Sequence, residues 1–126
     1  MYTDNPVISI HVDTEYIEQQ SCPAENRFAF AYTITITNNG VEPAQLLTRH
    51  WLITDGNAKV QEVHGDGVVG EQPVIKPGHS FRYTSGALLE TAVGTMEGSY
   101  HMKTNSGHEF DAPIPRFSLI HAGSVH

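Results

Sequence analysis

In the stretch RFAFAYTITITNNG, residues 27–40, bulky apolar side chains recur at every second position: Phe28, Phe30, Tyr32, Ile34 and Ile36. Ala29, Ala31, Thr33, Thr35 and Thr37 fill the positions between them. Successive side chains of a strand point to opposite faces, so this strict alternation predicts a strand with one face in a core and the other toward solvent. Asn38-Asn39-Gly40 ends it with turn chemistry.

The same period recurs along the chain. VISIHVDTEY predicts a strand with Ile8, Ile10 and Val12 on one face. AQLLTRHWLITD places Leu47, Trp51 and Ile53 together, with Arg49 interrupting the apolar side. Asp55-Gly56-Asn57 is a hairpin turn from which KVQEVHG returns. HSFRYTSG aligns Phe81 with Tyr83, and TMEGSYHMKT aligns Met96, Gly98, Tyr100 and Met102. Asn105-Ser106-Gly107 turns the chain into HEFDAPI, and RFSLI supplies Phe117 and Leu119 to close the fold. Near Leu88 a short helical pattern is cut to a turn by Gly94 and Gly98. About seven or eight short antiparallel strands separated by turns predict an all-β, immunoglobulin-like sandwich of two sheets. Gly98-Ser99-Tyr100-His101-Met102 has the form of a tyrosine corner, in which the hydroxyl ties back to backbone just upstream.

With 126 residues the chain has the size of one domain, and folding buries roughly two-thirds of its unfolded surface. Segment 121–126, HAGSVH, is expected to be a flexible tail. Fourteen acidic residues against seven basic ones give a formal charge of −7, which disfavours nucleic acid and anionic membranes as partners. A lone cysteine, Cys22, no apolar run of membrane-spanning length and a start without a basic or apolar leader region are together consistent with a cytoplasmic setting.

HGDGVVGEQP contains Gly65-x-Gly67-x-x-Gly70, the spacing of a dinucleotide-binding fingerprint. That fingerprint works only where the loop opens a helix whose N-terminus faces the pyrophosphate. Pro73 and Pro77 forbid a helix here, and no βαβ pattern surrounds the motif. The plainer expectation is a loop that needs glycine for positive φ and close backbone approach. An anion-binding nest of amides is the alternative, with His64, Arg49, Lys76 and Arg82 as sources of positive charge, opposed by Asp66 and Glu71.

The stretch RHWLITDGNAKVQEVHGDGVVGEQPVIKPGHSFRYTSGALLETAVGTMEGSY, together with ISIHVDTEYIEQQS, FAFAYTITITNNG and FDAPIPRFSL, resembles the bacterial ApaG family over nearly the whole chain. The resemblance implies a fibronectin type III-like β-sandwich. The family's name comes from a gene neighbourhood shared with a diadenosine tetraphosphate hydrolase, and the family is linked to cobalt resistance and magnesium efflux. A related domain in eukaryotic F-box proteins and in a polymerase-interacting protein is supposed to bind partners. The glycine motif is a proposed pyrophosphate site in that family, and Gly65, Gly67 and Gly70 match it.

Eight histidines invite a metal reading, but no pair has the spacing of a recognised zinc motif, so scattered surface histidines and no metal are expected. His11 and Asp13 share a strand face. Across the Asn105–Gly107 turn, His101 is expected to face Asp111, not His108. His121 and His126 fall in the tail. No nucleophile-elbow sequence occurs, Cys22 carries no sign of thiolate activation, and Glu90 and Glu97 read as solvated charges more readily than as paired carboxylates. For Arg49 a structural salt bridge is expected, with an anion contact beside Trp51 as the alternative. The expected function is that of a non-catalytic, cofactor-free binding module for a protein partner, a homodimer included. The alternative is a binder of pyrophosphate-containing nucleotides or divalent cations through the glycine loop.

Overall fold

The structure, a computed structural model, describes residues 7–121. Eight strands follow in order: Ile8–Tyr16 (β1), Phe28–Asn38 (β2), Ala44–Asp55 (β3), Val60–Asp66 (β4), Val74–Ile75 (β5), Ser80–Leu89 (β6), Val93–Thr104 (β7) and Glu109–Ile120 (β8). They form two antiparallel sheets, one of order β1-β2-β6 and one of order β4-β3-β7-β8 with β5 added to β3. The only helical elements among the described residues are two single 3-10 turns, Glu18–Gln20 and Pro23–Glu25. No helix among these residues is long and apolar enough to cross a membrane.

The alternation in β2 does what its period requires. Phe28, Phe30, Tyr32, Ile34 and Ile36 are all buried, and β1 and β6 flank them in register, with Ile34 opposite Val12 and Tyr83 and Ile36 opposite Ile10 and Phe81. The outer threonines pair across the strands, Thr33 with Thr84 at 2.8 Å and Thr37 with Ser80 at 2.7 Å. Facing this layer across the core are Leu46, Trp51, Met96, Tyr100, Met102, Ile114 and Leu119 of the other sheet. The indole of Trp51 meets Tyr32 edge-on at 5.5 Å between centroids, the geometry favoured by the aromatic quadrupole.

In β3, Leu46 and not Leu47 points into the core. The register against β7 shifts between Leu46 and Thr48, so Leu47 is the extra residue of a β-bulge and the inward phase changes there. Strict alternation read backward from Trp51 misses that extra residue. The Leu47 carbonyl instead accepts from Gly67 N at 2.8 Å and from Gln72 Nε2 at 2.9 Å. A second shift sets Glu97 against Pro115 and Arg116, where a proline costs no ladder hydrogen bond.

Tyr100 forms no tyrosine corner. It lies inside β7, and its hydroxyl meets that of Tyr83 from the opposite sheet. Asn38, the buried polar residue at the end of β2, is fully engaged: Nδ2 donates to the carbonyls of Glu42 and Ile75, and Oδ1 accepts from Gly40 N. Of the tail, only His121 is described. Its ring stacks on Tyr16 at 3.9 Å and its N–H donates to the Ala92 carbonyl, while 122–126, with His126, lie outside the described residues.

Candidate functional site

β3 and β4 are joined by the Asp55–Lys59 hairpin, whose turn amides at Asn57 and Lys59 donate to Asp55 Oδ1. Both faces of this hairpin carry residues of chemical interest.

On the inner face lies the glycine motif. Val68 and Glu71 exchange both backbone hydrogen bonds, at 2.8 and 2.9 Å, around Val69 (φ 42°) and Gly70 (φ 83°). Positive φ at both central positions marks a primed two-residue turn, for which glycine is the favoured residue. Gly67 has φ 63°, and a Cβ there would run into the Glu71 carbonyl. A Cβ at Gly65 would lie 2.6 Å from the Arg49 guanidinium carbon. Arg49 Nη1 donates to the carbonyls of Asp66 at 3.1 Å and Gly67 at 2.9 Å. Its guanidinium therefore caps backbone oxygens, and among the described residues it has no carboxylate partner, in place of the expected salt bridge. The Gly67, Val68 and Glu71 amides donate within the loop and its neighbour strand. No helix follows Gly70.

The sandwich therefore brings Arg49 to Gly65 and Gly67, while a Cβ at Gly70, in the turn beyond them, would meet nothing within 4 Å. His64 precedes the loop but points to the outer face, and Arg82 lies exposed in the other sheet opposite Thr35.

That outer face holds a cluster that sequence spacing alone does not announce. His50 stands opposite His64 in the β3–β4 register, with their rings stacked at 4.3 Å and 25°. The Nε2 atoms of both lie on one carboxylate oxygen, Glu62 Oε2, at 2.7 Å for His50 and 3.0 Å for His64. These two hydrogen bonds hold the Glu62 carboxyl below the usual range. The three donor atoms lie within 4.8 Å of one another, a spacing that suits a metal ion. The signal was in the hairpin: pairing Asp55 with Lys59 sets position 50 opposite 64, and period two then puts Glu62 on the same face.

His101 faces Asp111, as the turn arithmetic predicts, at 2.8 Å through Nδ1, and it reaches Glu109 at 2.8 Å through Nε2. Hydrogen bonds to Glu109 first and Asp111 second raise its pKa. His11 and Asp13 share an exposed face at 3.3 Å. Glu90 and Glu97 do not pair with each other: Glu90 meets Lys59 at 3.7 Å and Glu97 meets Arg116 at 3.3 Å. Where β6 ends, Leu88, Leu89 and Glu90 face Ile53, Lys59 and Gln61 of the β3–β4 hairpin across an open cleft.

Residues 18–104 match the family described as the ApaG domain. A curated relative from Azoarcus sp. (strain BH72), Protein ApaG, is 58% identical over 119 residues, 94% of each chain. A solved X-ray structure from a structural-genomics programme superimposes with a TM-score of 0.90 at 51% identity, covering 95% of this chain and 91% of its own. A crystal structure described as a putative ApaA protein from Bordetella pertussis gives 0.88 at 49% identity, covering 90% and 92%. A family match over residues 18–104, a relative 58% identical over 94% of the chain and a shared fold leave one assignment: the chain belongs to the ApaG family.

Proposed function

We propose that the chain is a non-catalytic binding module that recognises an extended protein segment along the free edge of β6. The observation that carries this reading is the state of that edge. β6 is ten residues long and, among the described residues, pairs with β2 on one side only, so its other side presents unpaired backbone donors and acceptors. An incoming strand gains main-chain hydrogen bonds there, and pockets beside the edge give it side-chain selectivity. Leu88, 61% exposed at the end of β6, borders the cleft toward Ile53 and Gln61, and Val60 is exposed on the neighbouring β4 edge. A second copy of this chain is one such partner, giving a homodimer by edge pairing.

Pull-down with untagged chain from extract of the source cells tests this, alongside light scattering of the purified protein. Either a stoichiometric partner or a dimer is expected, and Leu88→Asp, at an exposed position, abolishes it. A clean monomer that captures nothing, or capture unchanged by Leu88→Asp, overturns the reading.

Pyrophosphate binding at the glycine loop is the lesser reading, because three of its amides already donate within the chain. It rests on the closeness of Arg49 to the turn. Calorimetry with ATP and diadenosine tetraphosphate tests it, and absence of heat at millimolar ligand removes it.

A further inference from the structure

We propose that His50, Glu62 and His64 form a surface site for a divalent transition-metal ion of the zinc class, bound through the two imidazole Nε2 atoms and the Glu62 carboxylate. The remaining coordination positions stay open to water or to a second ligand.

The convergence of donors carries this. Here two rings stack so that both Nε2 atoms aim at the same oxygen, at 2.7 and 3.0 Å. Tetrahedral coordination with bonds of about 2.1 Å separates neighbouring donors by roughly 3.4 Å, so a few tenths of an ångström of opening admits an ion. The exposed ends of these side chains supply that movement, with side-chain exposures of 32% for His50, 56% for Glu62 and 69% for His64. The backbone beneath is fixed: His50 and His64 are register partners on adjacent strands, and Glu62 is two residues from His64 on the same face. Glu62, a carboxylate at neutral pH, supplies negative charge that a dication favours.

Two imidazoles and one carboxylate are the donors of zinc and its neighbours, whereas magnesium and calcium prefer all-oxygen shells. The His101 cluster provides an internal contrast. Its two ring nitrogens face two different carboxylates, so no single point is shared by three donors.

Calorimetry of the untagged full chain with zinc chloride, and separately with magnesium chloride, tests the site. Zinc is expected to bind one-to-one and saturably, with magnesium giving no saturable heat. His50→Ala and His64→Ala each weaken zinc by more than the roughly 10–100-fold that losing a mere supporting partner costs. Glu62→Gln, which keeps the shape and removes the charge, weakens it as well, and His101→Ala binds as the parent does. Backbone amide spectra of the parent show zinc-dependent shifts centred on residues 50, 62 and 64, and spectra of each variant confirm its fold. Absence of saturable zinc binding, parental affinity in the His50→Ala/His64→Ala double variant, or loss of binding in His101→Ala with shifts centred on β7 and β8 overturns the proposal.

Discussion

The hydroxyls of Tyr83 in β6 and Tyr100 in β7 lie 2.5 Å apart in the core, joining the two sheets through a polar contact between otherwise apolar faces. Neither residue exposes more than 7% of its surface, so each hydroxyl depends on the other for a partner that water cannot replace. Removing one leaves the other buried and deprived of that bond, a penalty of about 1–3 kcal/mol. Removing both takes away donor and acceptor together. Tyr83→Phe and Tyr100→Phe are each expected to lower unfolding stability by that order. The double variant is expected to lose less than the sum of the two, and urea unfolding of the four proteins measures the coupling.

The same burial makes the fold sensitive to alkali. Desolvation raises the pKa of Tyr83 and Tyr100 far above that of a free phenol, and raises Tyr32 in the same direction. A phenol whose folded pKa is raised stabilises the fold fully below its unfolded pKa, near 10. Above that the unfolded chain ionises while the folded one stays neutral, so stability falls by about 1.4 kcal/mol per pH unit for each such tyrosine. Absorbance at 295 nm is expected to show these tyrosines ionising together with unfolding and not before it. Smooth ionisation of all tyrosines in a folded protein contradicts this.

Asn38 shows how a residue read as a turn signal acquires a structural task. Its three hydrogen bonds, at 2.8–2.9 Å, fix the end of β2 to the Glu42 carbonyl, to β5 and to Gly40. Asn38→Ala strands these backbone groups and is expected to cost about 2–3 kcal/mol, at the upper end of single substitutions. Asn38→Asp keeps the acceptor and loses both donated bonds, so it is expected to cost at least as much. Thermal unfolding of both variants tests the order.

Period two made the sandwich legible, because an alternating strand that buries one face admits a single inward set, and β2, β6 and β7 carry theirs without interruption. It failed at Leu47, where a bulge inserts a residue that no local composition marks. The tyrosine-corner motif failed at Tyr100, which alternation places inward, because a hydroxyl contact across 17 residues of sequence is a property of packing and not of spacing. Turn length makes His101 opposite Asp111 legible, because Asn105–Gly107 fixes the register between β7 and β8. His50 opposite His64 depends on a longer hairpin, Asp55–Lys59, whose register must hold over five further pairs, and no local spacing of the two histidines marks it. For Arg49 the inward direction was legible, but its partners were not, since carbonyls of a folded loop have no residue-type signature.

The His101 cluster predicts a pH dependence of opposite form to that of the tyrosines. Hydrogen bonds to Glu109 and Asp111 favour the imidazolium, so the folded pKa lies above the unfolded one. Such a group stabilises the fold fully below the unfolded value, near 6.5, and the contribution is lost as pH rises through the folded value. Histidine-selective NMR titration is expected to place His101 above an ordinary imidazole. Glu109→Gln should lower it most and Asp111→Asn less, following the order of the two bonds. An unshifted His101 in the parent, or no response to either substitution, refutes the pairing.

The three glycines of the 65–70 motif meet different obstacles, so alanine at each is expected to cost a different amount. At Gly70 a Cβ meets nothing within 4 Å, and only the left-handed backbone, φ 83°, opposes it, a strain of about 1–2 kcal/mol. At Gly65 the backbone φ is unremarkable, but the Cβ would sit 2.6 Å from the Arg49 guanidinium carbon. That group must move away from the Asp66 and Gly67 carbonyls that it caps. Losing those charge-assisted bonds costs about 1.5–3 kcal/mol, and Arg49→Ala is expected to reproduce most of it. Gly67 combines positive φ with a collision against the Glu71 carbonyl, which closes the two-residue turn and cannot shift without breaking it. Gly67→Ala is therefore expected to be the most damaging of the three, followed by Gly65→Ala and then Gly70→Ala. In the Arg49→Ala background the cost of Gly65→Ala should shrink, because the obstructing group is gone, while the cost of Gly67→Ala should not. Urea unfolding of the single and double variants measures both statements, and equal costs at all three glycines contradict the steric account.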